Sequence, residues 1–272
     1  MHVGDVAAAR GPLAIPGLVV RELVAPPDLE VPFHRHEAAY FRTVIHGSLR
    51  NEASAKAAGG AREPRTVFHP AGTSHASWIG PTGARSLRVE PSDAWLARVG
   101  CDAALPSRPV ALARRHLAPA RRIASELRYP DAASELIVEG LVLELLGAAI
   151  RESHAECVEQ RSLARAIDVL HAELAQPLSL VSVARQVGME PLRLSQAFRR
   201  RYGQTLGEYQ RRLRVELVRR ELAGPRPLAE IAYDAGFCDQ AHCTRVFKAI
   251  VGTTPGAYRN ALDDRDRHDA MR

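Results

Sequence analysis

The chain has 272 residues, enough for two domains with real cores. An apolar fraction of 46% without long low-complexity tracts excludes a disordered or fibrous protein. The net charge of +6 is unevenly spread: Arg193 to Arg226 holds ten arginines against three acids (Glu208, Glu216, Glu221), which points to a polyanion partner.

The N-terminus, MHVGDVAAARGPLAIPGLVV, has neither a basic n-region nor a continuous apolar run, so it does not read as a signal peptide. The most apolar helical stretch, Leu136 to Ile150, carries Glu139 and Glu144 and is too short to span a bilayer. The expectation is a cytoplasmic protein without membrane contact. Cys101, Cys157, Cys238 and Cys243 are scattered, which suits reduced thiols. Cys238, His242 and Cys243 lie close together, but a turn cysteine and a helix-core cysteine account for them without a metal or redox site.

Residues 15 to 100 alternate short apolar stretches (LVVRELV, AYFRTVIHGSL, RTVFHPAG, RSLRVEP) with Gly and Pro, the pattern of an all-β unit. Two histidine motifs sit in it. His34 and His36 are two apart, so on a strand they share a side, and His75 follows Pro70-x-Gly72, a turn that can return it there. The spacing resembles the cupin pattern, H-x-H-x3-E-x6-G then P-x-G-x2-H, with Tyr40 at the carboxylate position and Gly47 in place. Two readings stay open. The three histidines could hold a divalent metal, or His34, His36, Tyr40, His75 and Trp78 could line or support a metal-free effector pocket.

From about 107 to 155 the pattern is helical, most clearly in DAASELIVEGLVLELLGAAIRE, with Asp131 as N-cap. Its apolar positions cover more than half the circumference. One face is expected on the β unit and the other on a partner subunit, as in a homodimer. The polar stretch ESHAECVEQRS then marks a boundary near 158.

From Leu163 to Leu262 everything reads as helices, broken at Pro177, Gly188, Gly203, Gly224 to Pro227, Gly236 and Gly252. A pattern is written twice here. Phe198, Gly203, Thr205, Gly207 and Tyr209 reappear as Phe247, Gly252, Thr254, Gly256 and Tyr258, and Ala184-x3-Gly188 reappears as Ala232-x3-Gly236. In each copy a short helix ends at glycine, a turn follows, and a second helix begins: at Pro191 in the first copy, after Phe237-Cys238-Asp239 in the second. These are two helix-turn-helix units. Between them EYQRRLRVELVRRELAG reads as a helix with Tyr209, Leu213, Leu217 and Leu222 inward and its arginines outward. Two units on one chain could read adjacent major grooves, about 34 Å apart on one face of B-DNA, without dimerising.

Leu163 to Asn260, roughly the last third of the chain, resembles the DNA-binding domain of the AraC/XylS family of bacterial transcription regulators, most strongly in LAEIAYDAGFCDQAHCTRVFKAIVGTTPGAYR. Cys243 stands where that family usually has a larger apolar residue, and Pro191 and Leu192 where polar residues are common. The resemblance implies an α+β, two-domain architecture: a cupin-like effector-sensing β-barrel over 1–105 with appended helices, a helical dimerisation and linker region over 106–157, an all-α double helix-turn-helix domain over 158–262, and a disordered tail over 263–272. It also implies a non-enzymatic regulator, an activator by family analogy, with double-stranded DNA, a small effector and RNA polymerase as partners. A constitutive DNA-binding protein whose barrel only dimerises, and a metal-dependent cupin enzyme tethered to DNA, are the alternatives.

Helical spacing around the inward Leu194 and Phe198, and around Cys243 and Phe247, nominates the contacts. Base readers are Leu192, Arg193, Ser195, Gln196, Gln240, Ala241, His242 and Arg245, the glutamines suiting adenine and Arg245 guanine. Phosphate contacts are Arg199, Arg200, Arg212, Thr244 and Lys248.

Overall fold

The computed structural model describes residues 15–52 and 66–269, those at 51–52 and 263–269 as backbone only. The chain divides into two compact units between Glu156 and Cys157.

The first unit is built on one antiparallel sheet of six strands: β1 (Leu18–Ala25), β2 (Glu30–Arg35), β3 (Tyr40–Glu52), β4 (Thr66–His69), β5 (Ser74–Pro91) and β6 (Val110–Ala111). Its order is β1-β5-β3-β4-β6, with β2 also on β5. The 18-residue β5 is the organiser: its second half pairs with β1 and the first half of β3, its first half with β2 and the end of β3. The path does not close on itself among the described residues. The expected barrel is therefore an open sheet, with β1 and β2 at one margin and the two-residue β6 at the other.

Strand alternation gives the sheet two faces. Leu18, Val20, Phe41, Phe68, Leu87, Val89 and Val110 form one, packed in a single core with α1 (Asp93–Arg98), α2 (Leu117–Arg128) and the first part of α3 (Ser134–Ala172). The helices after residue 106 thus complete the sheet's core. Trp95 is fully buried in it and donates from Nε1 to Oε1 of Glu139, 2.9 Å away. On the same side Glu22 is 4% exposed and pairs with Arg85 (3.0 Å) and Arg128 (2.6 Å).

Asp131 caps the turn before α3 and not the helix itself: its Oδ1 accepts from the N–H of Ala133 at 2.8 Å, and the helix starts at Ser134. The polar stretch ESHAECVEQRS is helical, not a break. Glu, Arg, Gln and Ala sustain a helix, and neither Gly nor Pro occurs from Ala148 to Gln176.

The second unit holds the end of α3, α4 (Leu180–Val187), α5 (Pro191–Tyr202), α6 (Leu206–Glu221), α7 (Leu228–Asp234), α8 (Gln240–Val251) and α9 (Pro255–Asp269). It has two small cores. Val183, Ala184, Leu194 and Phe198 centre the first, with Leu163, Ala166 and Leu170 of α3; Ile231, Ala232, Cys243 and Phe247 centre the second. Helix α6 serves both: Leu206 and Leu213 belong to the first, Val215, Val218 and the C-cap Leu222 to the second. The tail expected to be disordered from residue 263 continues α9 as helical backbone to Asp269, since a nucleated helix propagates at little cost. Residues 270–272 of that tail lie outside the described residues, as do 1–14 of the N-terminal region.

Candidate functional site

The duplicated pattern has a mechanical meaning at nearly every position. Each Phe fills its core and meets the Tyr eleven residues on, edge to face: Phe198–Tyr209 at 5.6 Å between centroids and Phe247–Tyr258 at 5.7 Å. Gly203 and Gly252 end α5 and α8 in the left-handed conformation, φ 70° and 89°, which favours glycine over any side chain. Thr205 caps α6 with Glu208 in a reciprocal capping box, and Thr254 accepts from the N–H of Ala257 at the start of α9. Gly207 and Gly256 have room for a Cβ, and nothing in the fold explains them.

One further pair escaped the sequence reading. Glu190 and Asp239 are the N-caps of α5 and α8, accepting from the backbone N–H of Arg193 and His242 respectively. Both sit 8 residues before the core Phe, and that equal spacing was the available signal. The turn before the second cap is one residue longer than the first: two residues separate Gly236 from Asp239, and one separates Gly188 from Glu190. The cap bond holds the Asp239 carboxyl below its usual range, helped by the Cys238 thiol.

At about 100° per residue, the buried Leu194, Ala197 and Phe198 put Leu192, Gln196 and Arg199 opposite the core, all exposed. The equivalent face of α8 carries Ala241, Arg245 and Lys248, also exposed. These six form two equivalent outward faces. Arg193 and Arg200, seven residues apart, share a flank and pair with one carboxylate, Glu159 of α3, at 3.5 and 2.9 Å. Ser195 is half-buried on the other flank, and Gln240 is exposed at the first turn of α8. His242 is also half-buried: its Nδ1 is 3.2 Å from the Cys238 thiol, and its ring lies edge-on to Phe237. The Thr244 hydroxyl donates to the carbonyl of Gln240 at 2.8 Å, which leaves it no hydrogen for a phosphate. Arg212 is exposed on α6, and neither it nor Arg199, Arg245 or Lys248 forms an ion pair among the described residues.

The arginines of α6 do not all face outward. Arg214 is half-buried and donates to the carbonyls of Leu174 (2.9 Å), Gln176 (2.8 Å) and Gly236. Gln210, one turn earlier, also donates to Gln176. A Cβ on Gly236 would lie 2.5 Å from the carbonyl oxygen of Ala175, so the second unit's turn rests directly on backbone leading into the first. Helices α5 and α8 are therefore cross-braced, beyond their shared α6.

In the first unit, the histidine motifs converge on the sheet face away from the helices. His34, His36 and His75 bring one ring nitrogen each within 4.8 Å of one another. His69, which the sequence reading missed, lies across from Tyr40 on β4 and stacks on its ring at 4.6 Å. Both ring nitrogens of His69 and His75, and the Tyr40 hydroxyl, are buried without a hydrogen-bond partner. Burial, with help from nearby Arg88 and Arg42, pushes His36, His69 and His75 down to about 3, so all three are neutral near pH 7. Trp78 stands on the opposite face of β5, since it is three residues from His75. A separate cavity of about 40 Å³ opens on the histidine side, lined by Leu23, Leu29, Val31, Leu49, Ile79 and Arg42 among others. None of the five residues nominated for an effector pocket lines it.

Comparison with known proteins agrees with the helix-turn-helix geometry. A helix-turn-helix domain family matches residues 183–261. The regulatory protein SoxS of Salmonella typhimurium is 36% identical over 104 residues, covering 38% of this chain and 97% of SoxS. A putative AraC-like transcription regulator of Streptomyces antibioticus is 29% identical over 50% of this chain and 49% of its own length. The arabinose operon regulatory protein of Escherichia coli is 29% identical over 52% of this chain and 48% of its own length. The chain thus spans nearly all of SoxS and about half of the two longer relatives. No described helix is long and apolar enough to cross a membrane.

Proposed function

Because this chain belongs to the AraC/XylS family of DNA-binding transcription regulators, we propose that it reads two adjacent major-groove segments with α5 and α8, and that a small effector held by the cupin-like sheet unit controls that reading. One observation carries the DNA-reading half: two equivalent helix faces, Leu192/Gln196/Arg199 and Ala241/Arg245/Lys248, are exposed while the helices bearing them are braced together by α6 and Arg214. Gln196 and Arg245 are the base readers best placed to choose, suited to adenine and guanine. Arg199, Arg212 and Lys248 are the phosphate contacts. Leu192 and Ala241 offer apolar contact to thymine methyls.

Dimerisation through α3 is part of this reading. Leu136 is 76% exposed and Leu143 40%; seven residues apart, they share a helix face with the exposed Gly140 and Gly147. Such a face suits a second copy of the same helix. Activation, through RNA polymerase, rests on kinship with the family alone.

Selection of random duplexes by the full chain at low salt tests the DNA half. The bound pool should converge on two conserved segments one helical turn, about 10 base pairs, apart. One conserved segment, or none, sinks it. Repeating the selection with small-molecule panels tests the effector half.

A second occupant of the sheet unit is favoured by the three converging imidazoles. His34, His36 and His75 fit a divalent metal, since the ring nitrogens of His75 are buried without partners. The ion would supply a Lewis-acidic positive charge. Tyr40, in ring contact with His36, is pushed up to about 12 by burial and stays neutral, so its hydroxyl brings no negative charge to the ion. Metal analysis of protein purified without chelator decides between metal and none.

A further inference from the structure

Three arginines stand abreast on the histidine side of the sheet. Arg21 of β1 is the register partner of Arg88 of β5, and Arg88 is the register partner of Arg42 of β3. Directly opposed residues of antiparallel strands point to the same side, and like charges placed so repel. Among the described residues one acid answers them: Glu90 pairs with Arg88 at 2.9 Å. Arg88 also reaches Nδ1 of His36 at 3.2 Å and lies over the Tyr40 ring at 4.3 Å.

Arg42 has no such relief. It is 7% exposed, its Nε is buried without a hydrogen-bond partner, and it forms no ion pair among the described residues. The Nε of Arg21 is likewise buried and unpartnered. Burying a guanidinium without an anion is among the costliest arrangements a fold can carry.

Arg42 is also a wall of the cavity of about 40 Å³, whose other walls include Leu29, Val31, Leu49, Ile79 and the buried Ser86. A water-sized group needs about 10–15 Å³ on this measure, so the cavity takes roughly three such groups. A buried cation at a cavity walled mostly by hydrocarbon, with Ser77 and Ser86 its other polar walls, selects a small molecule with one anionic end and a short hydrocarbon body.

We propose that the effector is a short-chain carboxylate, its oxygens held by Arg42 with Arg21 and Arg88 supplying the surrounding positive field, and its carbon chain among Leu29, Val31, Leu49 and Ile79. This rests on the effector-sensing reading above and gives it a chemical class. The carboxylate supplies the missing counter-charge for the row, so binding stabilises the folded sheet unit.

The test uses the full chain with a metal chelator present throughout. Both tryptophans of the chain, Trp78 and Trp95, belong to the first unit, so a fluorescence-monitored melt reports that unit without cutting the protein. Acetate and propionate are titrated against acetamide, propionamide and chloride at matched ionic strength. The acids should raise the melting midpoint with saturation, and the amides and chloride should not. Arg42→Met should raise the half-saturating concentration roughly tenfold to a hundredfold. Should Arg42→Met fail to fold, Arg21→Met, at the sheet margin, is read in its place and should weaken the response in the same direction. Amides that stabilise as well as the acids overturn the anionic class and leave effector sensing standing. An unchanged acid response in a folded arginine variant overturns the site, and silence from both series overturns the proposal while the broader selection still judges effector control.

Discussion

Arg214 and Gly236 are joined by a hydrogen bond from the guanidinium to the carbonyl, and the same guanidinium holds the carbonyls of Leu174 and Gln176. One side chain in the middle of α6 thus ties the chain entering the first helix-turn-helix unit to the turn of the second. The glycine is required twice over, by φ of +82° and by the backbone of Ala175 against it. Under the proposed function, a fixed relation between α5 and α8 matters because DNA offers its grooves at fixed spacing.

Arg214→Met keeps much of the aliphatic packing and removes the three bonds. Hydrogen bonds to charged groups contribute about 1.5–3 kcal/mol each, with strong non-additivity, so the second unit should lose about 2–4 kcal/mol. Binding to a two-segment operator should weaken at least as much as folding does, while affinity for a single-segment duplex stays near wild type at temperatures where the variant is folded. Equal losses on both duplexes would show that the brace supports folding alone.

Arg245 and Lys248 share the outward face of α8 but differ in chemistry. Arg245→Ala should cost about 1–3 kcal/mol on the selected operator and relax preference at one base pair. Lys248→Ala should weaken all duplexes alike and reduce the slope of log affinity against log salt by about 0.9. Salt titrations of both variants on operator and random DNA separate the roles, and a uniform loss for Arg245→Ala would make it a phosphate contact.

The helix-turn-helix half was legible because its signals are local: a core Phe, a left-handed Gly, a capping Thr and a packing Tyr lie within eleven residues of one another and recur. Arg214 was not, because helical periodicity assigns an arginine to solvent unless its acceptors are known, and here they are backbone carbonyls 22 to 40 residues away. The flank position of Arg193 depended equally on Glu159, in another helix. In the sheet unit the histidine motif was readable at short range, whereas the place of His69 and the row Arg21–Arg88–Arg42 follow from strand register. Register in β3 and β5 shifts at two irregularities, between Val44 and His46 and between Gly47 and Leu49, which no alternation pattern reveals. Trp78 needs no register: three residues from His75 on one strand, it falls on the other face by alternation alone.

Glu159 occupies Arg193 and Arg200 at once, and both ion pairs are solvent-exposed enough to contribute little to stability. Its effect should fall on DNA binding, since a phosphate competing for either arginine must first displace the carboxylate. Glu159→Gln should leave the thermal midpoint within about 2 °C, as expected for a change of a few tenths of a kcal/mol. Non-specific affinity should rise by roughly threefold to tenfold at low salt, with the gain vanishing as salt screens it. Unchanged affinity for random duplex would place the flank away from the DNA backbone.

Acid should unfold the sheet unit earlier than its carboxylates alone require. His36, His69 and His75 are held down to about 3, first by burial and then by neighbouring cations, Arg88 and Arg42 among them. In the unfolded chain each returns to about 6.5. Between those values the unfolded state binds protons that the native state does not, so unfolding free energy rises with pH across that window and the contribution is complete above about 6.5. As pH falls from 7 to 5, above the usual carboxylate range, tryptophan-monitored stability should therefore drop, with a limiting slope of about 1.4 kcal/mol per pH unit for each histidine. His69→Gln, which cannot take up that proton, should lower the slope by about 1.4 kcal/mol per pH unit at its steepest. A stability profile flat from pH 7 to 5 would mean that these imidazoles protonate in the folded protein and that the face they share is wetter than its geometry implies.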